Sequence, residues 1–349
     1  MGEKMLCAIL TEPRNLVLNE VEIPKAEKDE VLIRIKRIGL CGSDATIYYG
    51  KHPYVSYPVV MGHEFSGEIV ELGDGVEELE VGMRVAVIPH LVCGECEPCK
   101  NEIYNFCEKL RCTGAEADGA HCEYKVMPAK MVLPISDTTS LDEAAMVEPA
   151  CVAYHAAKRG EIKKDDCALI IGAGPIGNFC MQSVKALGAK KVYIADIDES
   201  RLDLALKLGA DGIINSKKES IKDGLTRLEG SPKKIGLFFD CVGGKGEVLN
   251  QIISIASRGS RVVMVGVLQN EYHIPNLPDF VQHELRLSGT TMYTPLDYRE
   301  MLVLMDKNII KIDGMISHYF DLKDIKKVFD DLVERKKENY FKVMITLGE

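Results

Sequence analysis

Cys167-Ala-Leu-Ile-Ile-Gly172-Ala-Gly174-Pro-Ile-Gly177 is a short apolar run that closes on three spaced glycines. The run has the length and composition of a buried strand, and residues 176–187 behind it read as a helix stopped by Gly188. A glycine-rich turn between a strand and a helix N-terminus is the context for cradling a pyrophosphate. Gly172 permits the tight turn, Gly174 lets backbone approach the anion, and Gly177 allows the helix to pack closely on the sheet. Lys191-Val-Tyr-Ile-Ala reads as the next strand, and Asp196 ends it. A carboxylate there accepts hydrogen bonds from both ribose hydroxyls and repels a 2′-phosphate, which predicts NAD rather than NADP.

Working outward, a helix at 200–208 with Ser200 as candidate N-cap precedes further strands at 235–239, 261–265 and 285–288. Strands alternating with helices predict an α/β fold class, a Rossmann-type doubly wound parallel sheet over 154–290. Upstream, over 1–153, the short alternating or Val-rich runs at 31–40, 67–72 and 82–88 predict a compact β-rich domain. Downstream, an amphipathic helix at 322–333 and a strand at 342–346 predict that 291–349 returns to the first domain.

The chain's 349 residues suit two domains. A net charge of −10 argues against a nucleic-acid partner, which would demand clustered Lys and Arg. No charged leader with an apolar core opens the sequence, and the longest apolar stretch, 167–181, is broken by glycines and a proline, so neither secretion nor a membrane span is expected. The expected location is the cytosol. Twelve cysteines in a reducing compartment point to metal binding rather than disulfides.

Four of those cysteines, Cys93, Cys96, Cys99 and Cys107, lie within C-G-E-C-E-P-C-K-N-E-I-Y-N-F-C. Four thiolates at this spacing predict a closed, structural zinc site in a surface lobe at about 90–113. A second group is scattered: Cys41 in G-L-C-G-S-D, His63 and Glu64 in G-H-E-F-S-G, and Glu148 in V-E-P-A-C-V-A-Y-H. Alone, Cys41 reads as a small buried hydrophobe and His63 as a core histidine. Their joint occurrence with a dinucleotide site points instead to a metal with an open position and redox chemistry on an oxygen. His121, in D-G-A-H-C-E-Y, reads as an exposed loop residue.

These motifs, over essentially the whole chain, resemble the zinc-dependent medium-chain dehydrogenase/reductase family, and most of all its polyol, butanediol and threonine dehydrogenase branches. The resemblance implies a GroES-like catalytic domain interrupted by the Rossmann domain, with the active site in the cleft between them. It implies a catalytic zinc held by Cys41 and His63, completed by either Glu64 or Glu148. It implies contacts to NAD from Ile176, Asp196, Arg201, Val265-Gly266-Val267 and Thr290-Thr291-Met292. A homodimer or homotetramer is expected, because the strand reached from 258–267 pairs with its copy in relatives.

The reaction implied is oxidation of an alcohol, with Ser43 taking the hydroxyl proton toward the cofactor ribose and hydride passing to the nicotinamide. Relatives of the ethanol branch carry histidine where this chain has Thr46. Sorbitol-type relatives place Arg-Tyr at Met292-Tyr293 and Tyr at Ile47, so this pocket is less polar. The expected substrate is a secondary alcohol with an adjacent hydroxyl. Threonine and sugar-alcohol phosphates stand as alternatives. The alternative from another class is a zinc-stabilised NAD-binding module without chemistry.

Overall fold

The computed structural model describes residues 2–244, 247–267, 277–333 and 340–348. The chain forms two compact units, one of Met1–Glu148, Thr294–Asp306 and Gly314–Glu349, the other of Pro149–Tyr293 and Lys307–Asp313. The change expected at 153/154 thus falls at 148/149, inside one continuous helix. The segment expected to return to the first domain, 291–349, also gives up Lys307–Asp313 to the second. Gln182 explains that assignment: its side-chain amide donates to the Lys311 carbonyl at 3.0 Å and accepts from the Lys311 amide at 2.8 Å, pinning the segment.

In chain order the first unit opens with β1 (Lys4–Glu12), β2 (Asn15–Glu22), β3 (Glu30–Gly39), α1 (Gly42–Tyr48), β4 (Val59–Val60) and β5 (Glu64–Leu72). It continues with β6 (Arg84–Val87), β7 (His90–Leu91), α2 (Glu97–Lys100), β8 (Arg111–Cys112), β9 (Tyr124–Pro128) and β10 (Val132–Pro134), and α3 (Leu141–Arg159) carries the chain into the second unit. β3 is the spine: Val31, Ile33, Ile35 and Ile38 are buried to 1% or less, and it pairs with both β5 and β9. β5 starts three residues ahead of the expected 67, because its ladder with β3 runs back to the pair Gly39 and Glu64.

The second unit contains β11 (Cys167–Ile171), α4 (Pro175–Ala186), β12 (Lys191–Asp196), α5 (Glu199–Lys207), β13 (Gly212–Asn215) and α6 (Ile221–Glu229). β14 (Leu237–Asp240), α7 (Glu247–Ile255), β15 (Arg261–Met264), α8 (Leu277–Gln282) and β16 (Arg286–Gly289) complete it. Its six strands are all parallel, in the order β13-β12-β11-β14-β15-β16. Leu169, Tyr193, Phe238 and Val262 from the strands meet Leu225, Leu249 and Ile252 from the helices in one apolar core. The N-cap of α5 is Asp198 rather than Ser200: its carboxylate accepts from the Ser200 and Arg201 amides, as a short side-chain acceptor does at a helix start.

The chain then returns through α9 (Pro295–Asp306), β17 (Ile316–Asp321), α10 (Ile325–Val333) and β18 (Lys342–Thr346). β18 inserts beside β3, giving the sheet order β10-β6-β5-β3-β18-β17 with β9 also on β3. The helix expected from 322 begins as a single 3-10 turn, Leu322–Asp324, and becomes α-helical at Ile325. Phe329 of α10 stacks on Tyr48 of α1 at 5.1 Å, so the last helix closes the core behind α1.

Candidate active site and metal centres

In the second unit the expected phosphate-binding residues form a glycine turn between β11 and α4. Pro175 takes the first position of α4, where its missing N–H costs nothing, and Gly174 caps the helix. A Cβ on Gly177 would lie 1.7 Å from the Gly172 carbonyl oxygen, so only glycine lets α4 start this close to β11. Asn178, fully buried, braces the turn by donating to the Ala173 and Gly174 carbonyls at 2.7 and 3.2 Å. Asp196 accepts from the Ala173 amide at 2.6 Å and the Asp198 amide at 2.9 Å. The Asp196 carboxylate is thereby tied to the glycine turn, and each of its oxygens keeps a lone pair for a further donor.

The other nucleotide candidates sit at the same, C-terminal edge of the parallel sheet. Ile176 is half-buried in the first turn of α4, and Arg201 half-buried in the first turn of α5. The Val265 and Gly266 amides donate to the Asp240 carbonyl at 2.9 and 2.8 Å, while Val267 is 90% exposed. Thr290, Thr291 and Met292 follow β16, with Met292 in the left-handed region at φ 47°. The edge of a doubly wound sheet where strand order reverses is where such folds bind dinucleotides.

In the first unit, two groups among the described residues could hold a metal ion, each with donor atoms within 4.8 Å of one another. The first is Cys93, Cys96, Cys99 and Cys107. Cys96 caps α2, and Pro98 sits inside its first turn, so the α-helix of the lobe begins at a candidate ligand. The Cys93 sulfur lies 3.9 Å from that of Cys99 and 3.6 Å from that of Cys107. A tetrahedron with Zn–S bonds of about 2.3 Å has edges of about 3.8 Å, so the spacing fits zinc. Amides of Glu95 and Cys96 pull the Cys93 thiol down to about 6, whereas burial pushes Cys99 up to about 12. A closed set of four thiolates leaves no position for substrate.

The second group is Cys41, His63 and Glu64. Cys41 is the N-cap of α1, its amide donating to Asp44 Oδ2 at 2.8 Å. Asp44, completely buried, turns its other oxygen toward His63 Nδ1 at 3.6 Å. One carboxylate therefore holds the backbone at Cys41 by a hydrogen bond and sets its negative charge beside the His63 ring, at ion-pair rather than hydrogen-bond distance. Burial opposes charge on His63, but Asp44 and Cys41 outweigh it and hold its pKa well above the ordinary range. Glu64 is 1% exposed, and Lys342 of β18 pairs with its Oε2. A Cβ on Gly39 would fall 2.2 Å from that oxygen, so glycine on the neighbouring strand makes the carboxylate's room.

Of the two carboxylates left open by sequence, Glu64 falls within the three-residue group and Glu148, buried in α3, does not. Glu148 is near: both it and His63 act electrostatically on the half-buried Cys112. Ser43 lies half-buried in the first turn of α1, two residues from Cys41. The expectation for His121 fails. It is fully buried, because its amide and carbonyl bond to Met61 and Ala8 inside the unit, and burial depresses its imidazole to about 4. Asp44 and Lys342 were not singled out from sequence. Asp44 carried a signal, as the acid of C-G-S-D; Lys342 carried none.

A donor set of one thiolate, one imidazole and one carboxylate suits a zinc with a free fourth position, and the four-thiolate lobe suits a second, closed one. Residues 27–137 match the alcohol dehydrogenase GroES-like domain, and residues 175–307 the zinc-binding dehydrogenase domain. The chain belongs to the zinc-dependent medium-chain dehydrogenase family. Like other members, this dehydrogenase is an oxidoreductase that uses zinc and a nicotinamide dinucleotide. It is 32% identical to L-galactonate-5-dehydrogenase of Escherichia coli K12, over 95% of this chain and 96% of that one. The rspB alcohol dehydrogenase of Escherichia coli CFT073, solved with NADH, is 32% identical, covers 99% of this chain and 100% of its own, and superposes with a TM-score of 0.91. The 2R,3R-butanediol dehydrogenase of Bacillus subtilis is 28% identical over 99% and 100% of the two chains, with a TM-score of 0.89. Among the described residues no helix is long and apolar enough to cross a membrane.

Proposed function

We propose that this dehydrogenase interconverts a secondary alcohol of a short vicinal diol or polyol with its ketone, with NAD as the hydride acceptor. The observation that carries the reading is the group Cys41, His63 and Glu64, three donors that leave one tetrahedral position for a substrate hydroxyl. Zinc bound there would supply Lewis-acid polarisation of that hydroxyl and lower its pKa. Everything else falls to the chain's own residues. Cys41 and His63 hold the metal, Asp44 anchors the Cys41 amide and faces His63, and Glu64 completes the set. Glu148 stands close enough to influence Cys112 and is assigned to the substrate's neighbouring hydroxyl. Ser43 accepts the alcohol proton at its Oγ and hands it on toward solvent. Gly172, Gly174 and Gly177 shape the pyrophosphate turn, and Asp196 takes the adenosine ribose hydroxyls, which disfavours NADP.

The diol class is supported by relatives named for galactonate and butanediol and by the chain's own Met292, which brings no donor where an arginine would grip a long polyol. The lobe of Cys93, Cys96, Cys99 and Cys107 is assigned a purely structural zinc. The test is NAD reduction with the 2,3-butanediol stereoisomers, sorbitol, xylitol, galactonate, threonine and galactitol phosphate. Turnover concentrated on diols or polyols is expected. Turnover of threonine or of the phosphate ester alone would overturn the substrate assignment.

A further inference from the structure

Cys7 and Cys122 belong to neither proposed metal site. Both are buried, and they face each other: Cys7 of β1 and Cys122, just ahead of β9, form an antiparallel bridge. Bonds on either side of them fix this register. The Ala8 amide donates to the His121 carbonyl at 2.8 Å, and the Glu123 amide donates to the Leu6 carbonyl at 3.1 Å. The Glu123 carboxylate also accepts from the Leu6 amide at 2.6 Å. These bonds join the neighbours of the two cysteines and leave the cysteines as a non-hydrogen-bonded pair, the kind whose Cα atoms come closest, at about 4.5 Å. A disulfide spans Cα separations of about 4.4–6.8 Å, so the backbone already stands where a bridge needs it.

The two thiols are hydrogen-bonded to each other and are unequal. Cys122, aided by Lys125, holds the Cys7 thiol below its ordinary value against burial and Asp118, while Cys7 and burial push Cys122 well above its own. The lower partner is the one that supplies a thiolate, the form that reacts. The segment beyond Cys7 also bears on the proposed active site. Amides of Gly119, Ala120 and His121 donate to the carbonyls of Val60, Gly62 and Met61 at 2.6, 2.9 and 2.9 Å, and Val60 pairs with Ile9 of β1. Residues 60–62 run directly into His63. A covalent link from β1 to Cys122 would therefore close the frame that holds the approach to His63.

We propose that Cys7 and Cys122 are a site of reversible oxidation, closed by hydrogen peroxide into a cross-strand disulfide that staples β1 to the segment carrying His121. The Cys7 thiolate attacks one peroxide oxygen, the O–O bond breaks, and the departing hydroxide takes a proton to leave as water. The Cys7 sulfenic acid that remains is attacked by the Cys122 sulfur, which forms the S–S bond and expels a second water. Two thiols and one hydrogen peroxide give one disulfide and two waters, with the sulfurs oxidised and the peroxide reduced. The bridge closes a loop of roughly 115 residues, which restricts the unfolded chain far more than the folded one.

The experiment treats the full-length, zinc-loaded protein, Cys7→Ala and Cys122→Ala with hydrogen peroxide in excess zinc, raising the dose until thiols of the four-cysteine lobe begin to react. Samples are unfolded, alkylated and mapped by mass spectrometry without reduction, and Tm is read before treatment, after it and after dithiothreitol. The expected map of the parent contains a peptide pair linked through Cys7 and Cys122. Its Tm should end roughly 5–15 °C above that of either treated variant, each measured against its own untreated value, and dithiothreitol should erase the difference. Damage to the other thiolates is common to all three proteins and cancels. The map of the parent needs no variant, and one alanine variant suffices for Tm where the other does not fold. Cys7 and Cys122 recovered alkylated, oxidised singly or linked to other cysteines overturns the site. A Cys7–Cys122 link without a gain in Tm overturns the staple. Neither readout depends on the reading of Cys41, His63 and Glu64.

Discussion

Replacing His121 by Phe should make this dehydrogenase less sensitive to acid. The imidazole is completely buried, and burial lowers its pKa from 6.5 to about 4. A histidine held neutral in the fold and free to protonate when unfolded contributes stability that is fully present above the unfolded value. That stability is lost progressively as pH falls from about 6.5 toward 4. The whole shift of about 2.5 units is worth ~3.4 kcal/mol at ~1.36 kcal/mol per unit. At about pH 5.5 roughly 1.4 kcal/mol of it has gone, a tenfold change in the unfolding constant. Phe keeps a ring against Phe329, whose centroid lies 5.9 Å away. The assay is urea unfolding of both proteins at about pH 7.5 and 5.5 with zinc in excess. Any constant cost of the larger ring, and acid loss of zinc, then cancel in the double difference. His90, also buried and lowered to about 4, remains in both proteins and sets the residual sensitivity. The expected result is that the parent loses about 1.4 kcal/mol more than His121→Phe over this interval. Equal losses would refute the reasoning.

Ser43→Ala should lower kcat by about 10²-fold and leave zinc content unchanged, and a pH-rate profile identical to the parent's would remove Ser43 from the proton path. Gly177→Ala should weaken NAD binding measured by nucleotide fluorescence, because the new Cβ meets the Gly172 carbonyl at 1.7 Å and must push α4 from the phosphate turn; unchanged affinity would mean that the turn does not hold the pyrophosphate.

The parts of this molecule that were readable in one dimension are those whose logic is local. Cys167 to Gly177 declares strand, turn and helix within eleven letters because the backbone conformations and close approaches involved need glycine at fixed places. Four cysteines within one lobe point to a metal in the same local way. The second site is assembled differently. Cys41 caps α1, His63 lies just ahead of β5, and Glu64 joins them through the β3–β5 register that sets it opposite Gly39. No spacing rule contains that register. Lys342 enters only because β18 returns to β3, so nothing near it in sequence marks it. His121 was misjudged because a polar loop letter says nothing about backbone that threads between Met61 and Ala8. Ser200 lost its place as cap to Asp198, since both residues offer the same chemistry and only geometry ranks them.

The central claim is that the dehydrogenase carries a closed four-thiolate zinc and, separately, a catalytic zinc on Cys41, His63 and Glu64. The most direct test is zinc content and diol-dependent NAD reduction measured on the same preparations of the parent and Cys41→Ser. The account predicts about two zincs per chain in the parent, about one in the variant, and loss of turnover with the missing ion. Equal zinc content in the two proteins, or full turnover in Cys41→Ser, would contradict it.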